Sequence, residues 1–104
     1  MTTVVNLYKE PYDVYIGRAG KGKDGYFGNP YDLNHVAQSF SNLKGDEIRE
    51  KSIELFRDYF ITRIQSDPIF KLRVETELKD KRLGCFCKPK KCHGDIYAEY
   101  LNSL

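Results

Sequence analysis

Arg82-Leu83-Gly84-Cys85-Phe86-Cys87-Lys88-Pro89-Lys90-Lys91-Cys92-His93-Gly94-Asp95-Ile96-Tyr97 is the stretch on which the fold turns. Leu83 to Cys87 reads as a short buried strand, and Pro89, unable to donate to a ladder, ends it. Gly94 to Leu104 reads as a closing helix whose apolar stripe is Ile96, Tyr97, Tyr100, Leu101 and Leu104. Between them lies a basic loop. A strand, a polar loop and a helix start, in that order, is where α/β proteins place ligand sites. All three cysteines of the chain and one of its two histidines fall in this stretch.

Working outward, the preceding segments read as support. Asp67-Pro68 opens a helix with Asp as cap and Pro in the first turn. Phe70, Val74 and Leu78 mark its inner face. Before it, Gly45-Asp46-Glu47 starts a longer helix with Asp46 as the expected cap. Ile48, Leu55, Phe56, Tyr59, Phe60 and Ile64 recur at helical spacing along it. Asn34 to Phe40, carrying His35, is a candidate short helix. Thr3 to Tyr8 and Asp13 to Arg18 read as strands. The turn between them, Lys9 to Tyr12, is short enough for a hairpin, although other pairings fit. Ala19 to Pro30, with four glycines, Lys21 and Lys23, is a loop, and Gly28-Asn29-Pro30 in it is a fixed turn because Asn before Pro is held extended.

At 104 residues one domain spanning 1–104 is expected. The expected class is α/β: a small Rossmann-like two-layer or three-layer sandwich with a short, mainly parallel sheet. Net charge is +2, which does not suggest general nucleic-acid binding. It is nevertheless uneven: Lys79, Lys81, Arg82, Lys88, Lys90 and Lys91 stand against Asp80 alone between 79 and 91. Such a patch attracts phosphate or a nucleic-acid backbone, or serves as a solvated loop. No stretch is long and apolar enough to span a membrane and no signal peptide heads the chain, so a cytoplasmic protein is expected. Three clustered cysteines do not make a secreted disulfide framework.

Cys85, Cys87, Cys92 and His93 match tetrahedral zinc in number. The Cys-x-Cys spacing opposes it, since a regular strand holds such side chains roughly 6–7 Å apart. The expected assignment is therefore no metal and no cofactor. The competing reading is a ligand site at the start of the last helix. Free amides and the helix dipole attract anions there and lower a thiol pKa. Cys92, His93 and Asp95 are the catalytic candidates on this reading, Asp95 being equally a plain cap. Arg18, Gly28, Asn29, Cys87 and Gly94 are the ligand-binding candidates, and Cys85 is expected in the core. If the second and last strands run parallel, their following loops converge at one sheet edge.

The motifs Tyr12-Asp13-Val14-Tyr15-Ile16-Gly17-Arg18, Phe27-Gly28-Asn29-Pro30-Tyr31 and Cys85-Phe86-Cys87-Lys88-Pro89 with Cys92-His93-Gly94-Asp95 resemble a family of small bacterial and phage proteins. It is the domain of unknown function numbered 4326, and the resemblance covers nearly the whole chain. Phe27 stands where the family often has Trp. The resemblance links the two loops as signatures but implies no activity. The closing Cys-His is also similar to another α/β family with a Cys-His-Arg motif, which favours a Rossmann-like site over a zinc module.

Three functions are consistent with these readings. The first is binding, with or without processing, of a nucleotide or other phosphorylated small molecule in a pocket between loops 18–30 and 87–95. The second is a zinc-stabilised module with nucleic acid as partner. The third is a small phage-type inhibitor or adaptor without catalysis.

Overall fold

The computed structural model describes residues 1–20 and 22–104. Lys21 of the glycine-rich loop lies outside them. Three strands form one sheet: β1 (Thr3–Asn6), β2 (Val14–Tyr15) and β3 (Arg82–Cys85), in the order β1-β3-β2. Both outer strands run parallel to β3, with Val4 and Val14 opposite Leu83, and Val5 and Tyr15 opposite Gly84. The hairpin that the Lys9–Tyr12 turn would permit does not form; the long crossover from β2 to β3 carries the last-made strand into the centre. The fold is thus α/β with a small parallel sheet. Both strands are shorter than their β-branched runs, although Ile16 N still donates to Gly84 O at 3.1 Å beyond the end of β2.

Helices α1 (Leu33–Ser39), α2 (Asp46–Ser66) and α3 (Pro68–Arg73) fill the crossover, and α4 (Gly94–Asn102) follows β3. Asp32 caps α1, its side chain accepting from His35 N. Asp67 caps α3 in the expected way, accepting from Phe70 N. At α2 the expected cap is displaced by one residue: Gly45, at φ +56°, holds the cap position and Asp46 is the first helical residue. A carboxylate there still meets the positive end of the helix dipole. α3 passes into a widened π-type turn, Val74–Leu78, which keeps Phe70, Val74 and Leu78 all fully buried.

The side chains of β3 separate the two faces of the sheet. Leu83 and Cys85 enter a core shared with Phe56 and Phe60 of α2, Phe70 and Val74, and Ile96, Tyr97 and Leu101 of α4. Gly84 faces the other way, where the ring of Tyr12 occupies the space its Cβ would fill. Helices therefore cover one face, and side chains rather than helices lie over the other. Among the described residues no helix is long and apolar enough to cross a membrane.

Candidate functional site

Because β2 and β3 are parallel, the loops leaving them emerge at the same edge, as the sequence required for a shared pocket. Arg18 lies three residues past the end of β2 and is exposed. It lines three adjoining cavities. One, about 310 Å³, is bounded by Gly17, Asn29, Cys85, Phe86 and His93. A second of about 310 Å³ runs over Gly25, Gly28 and Asn29 toward Asp32 and Tyr59. The third, about 440 Å³, lies over Tyr8, Tyr12, Tyr15 and Phe86. Among the described residues neither Arg18 nor Arg49 has an ion-pair partner.

His93 ties the two loops together. Its Nε2 lies 2.7 Å from Ile16 O and 3.2 Å from Phe27 O. Both are acceptors, so Nε2 carries the proton and Nδ1 is left as an acceptor, 3.6 Å from Cys92 Sγ. Burial lowers the His93 pKa, since the imidazolium would lose its water. The ring is neutral and doubly anchored, and it forms one wall of the smaller cavity. Phe27 O also accepts from Tyr97 Oη at 3.0 Å, which fixes the glycine-rich loop on α4.

Cys92 is buried beside it. The expected lowering of its thiol by the helix start is outweighed: hydrogen bonding to Cys85 and Cys87, then burial, push its pKa up. The same contacts act oppositely on the partners. Cys85 and Cys87 are each lowered to about 6, first through hydrogen bonding with the Cys92 thiol. At Cys87 the Arg49 and Arg18 guanidinium groups add to this against the desolvation cost. Cys85 is in the core and Cys87 is only half-buried. Thiolate character and access therefore coincide at Cys87, not at Cys92.

Asp95 is engaged by the loop rather than hydrogen-bonded to His93. Its carboxylate takes Lys88 Nζ at 2.6 Å and the Cys92 amide at 3.2 Å, so it braces the loop and caps the turn into α4. Gly94 makes room for the core rather than for a ligand: a Cβ there would lie 2.7 Å from Ile16 Cδ1 and 3.0 Å from Val4 Cγ1. Gly28 is similarly engaged, its missing Cβ facing Gly17 O at 2.8 Å, which lets the two halves of the loop touch. Asn29 donates to Ser52 Oγ at 2.9 Å and accepts from Tyr31 N at 2.8 Å. That is the fixed turn expected before Pro30, and it presents Asn29 to both smaller cavities.

Three contributors escape a reading of the sequence alone. Asn6, at the end of β1, donates to Lys88 O at 2.7 Å and holds the 87–90 loop. Arg49 and Ser52 reach the site from α2, which the balanced charges of that helix present as a plain outer face. The basic stretch is also less free than its composition suggests. Arg82 pairs with Asp13, Lys88 with Asp95 and Lys91 with Glu50. Among the described residues, no group of three or more His, Cys, Asp or Glu side chains is arranged to hold a metal ion.

Fold and site together define a small parallel α/β protein with a thiol-bearing, arginine-lined cleft at the carboxyl edge of its sheet. The chain belongs to the family described as Domain of unknown function (DUF4326), whose model matches residues 4–103. It is 43% identical over 101 residues to the "Uncharacterized 12.4 kDa protein in nrdA-td intergenic region" of Enterobacteria phage T4, covering 97% of this chain and 78% of the phage protein. No solved structure matches it.

Proposed function

We propose that the protein binds a nucleotide or other phosphorylated small molecule in the cleft between the loop that follows β2 and the loop that follows β3. The observation that carries this reading is Arg18: an exposed guanidinium, free of ion pairing among the described residues, at the junction of three cavities. An arginine fork suits phosphate oxygens because it offers several donors in one plane. The parallel sheet supports the reading, since ligands in open α/β sheets bind beyond the carboxyl ends of strands. Asn29 and the His93 wall supply the polar and shape constraints.

A thermal-shift screen of nucleotides, sugar phosphates and inorganic phosphate tests the proposal. A ligand that binds only the folded state raises the melting temperature with concentration. Stabilisation by phosphorylated compounds, lost in Arg18→Ala, is the expected result. No stabilisation by any of them at millimolar concentration overturns it.

A further inference from the structure

The largest of the three cavities is not the one built from the cysteine loop. It lies on the Gly84 face of the sheet, opposite the core that the helices fill, and aromatic rings line it. Phe86 is 50% exposed and Tyr8 73% exposed, and the two rings adjoin. Their centroids are 5.5 Å apart, and Tyr15 stands edge-on to Phe86 at 6.0 Å. Tyr12 completes the wall from above Gly84. The alternation of β3 explains the exposure: Cys85 turns inward, so Phe86 turns outward.

Charge borders this apolar surface on one side. Arg18 and Lys23 line the same cavity, with Lys23 Nζ 5.7 Å from the Tyr15 ring centroid. Tyr15 Oη donates to Arg18 O at 2.8 Å, which joins the aromatic wall to the backbone that carries the arginine. Phe86 also lines the cavity that His93 and Asn29 bound, so Phe86 and Arg18 border both spaces. A volume of about 440 Å³ falls in the range of small-molecule pockets.

We infer that the aromatic cleft over Tyr8, Tyr12, Tyr15 and Phe86 is a stacking site for the nucleobase of a nucleotide whose phosphate lies at Arg18. The inference rests on the phosphate reading above and narrows it, because a sugar phosphate has no flat π-face to stack on rings. Base–aromatic stacking tolerates any base, so the cleft selects nucleotides as a class.

Calorimetric titration of the folded protein with a nucleoside monophosphate, the matching nucleoside and ribose 5-phosphate separates the two readings. The nucleotide binds about tenfold or more tightly than ribose 5-phosphate, the scale of one stacked base. Phe86→Leu keeps an apolar side chain but removes the flat ring. It lowers nucleotide affinity about tenfold and leaves ribose 5-phosphate unchanged. Arg18→Ala weakens both phosphates. Equal affinity for nucleotide and ribose 5-phosphate, or a nucleotide affinity indifferent to Phe86→Leu, overturns the base site and leaves the phosphate site standing. Nucleoside binding that falls in Phe86→Leu, with no effect of Arg18→Ala on any ligand, sustains the base site and overturns the phosphate reading. No binding by any of the three overturns both.

Discussion

His93 Nε2 sits 2.7 Å from Ile16 O, so a side chain at the end of the site loop is fastened to the backbone just beyond β2. With the Phe27 O contact it holds the two loops in register. It also commits Nε2 to the backbone and leaves Nδ1 as the ring's acceptor.

The burial of the ring at that contact, not the hydrogen bond itself, makes stability pH-dependent. The folded-state pKa of His93 is lowered by burial, so below the unfolded value of about 6.5 the unfolded chain binds the extra proton. Stability is therefore full above that value and falls as pH drops below it, by at most about 1.4 kcal/mol per pH unit, the slope of one whole proton. Urea denaturation between pH 7 and pH 5 measures the slope. His93→Gln, which keeps a donor but does not titrate, flattens it by that amount; an unchanged slope in the variant rules out His93 as its source.

Cys87 is the thiol expected to react first. Iodoacetamide labelling followed by peptide mass spectrometry places the modification at Cys87, with a rate that rises as pH passes through about 6. Arg49→Ala removes one of the charges that favour the thiolate and moves the midpoint upward. Faster labelling of Cys92 in the folded protein contradicts this ordering.

Gly94 is required by packing. Gly94→Ala drives a methyl against Ile16 Cδ1 and Val4, at a cost of about 1–3 kcal/mol. Ile16→Val deletes the atom in closest conflict. In the double variant part of the cost is recovered, so the two changes are less than additive; strict additivity in chemical denaturation would place the strain elsewhere.

Asn6 braces the loop from β1. Asn6→Ala leaves Lys88 O without its donor and Tyr8 N without its acceptor, and costs about 1–2 kcal/mol. Hydrogen exchange at Lys90, whose amide donates to Cys87 O, accelerates in the variant. Unaltered exchange there argues that the turn holds itself.

Asp13 and Arg82 clamp β3 beside β2. Hydrogen bonding from the Arg82 side chain, then from its amide, lowers Asp13 to about 2. The contribution to stability is present above the unfolded value of 3.8 and is lost as pH falls from there through about 2. An NMR titration of the Asp13 carboxyl reads the midpoint, and Arg82→Ala returns it toward 3.8.

Local chemistry in the chain determined much of this protein. Asp67-Pro68 had to open a helix, Asn29-Pro30 had to be a turn, and the β-branched runs with the apolar run from Leu83 had to hold strands, although the last one ends at Cys85, short of the expected Cys87. The motif spacing also singled out two loops, 18–30 and 87–95, which the parallel strands bring to one edge of the sheet. Tertiary structure alone decided how those loops are used. Strand order is set by which faces can be buried together, and a three-residue apolar run does not state its neighbours. Hence the β1–β2 hairpin gave way to two parallel pairings with β3. Side-chain direction decided the rest. Asp95 turned to Lys88 and the Cys92 amide, Gly94 to Ile16, and His93 to two carbonyls, while Arg49 and Ser52 arrived from a helix that shows no local sign of the site. The Arg82–Tyr97 stretch supplies walls of the cleft, but its charge comes from Arg18, and only folding brings Arg18 and Arg49 beside Cys87.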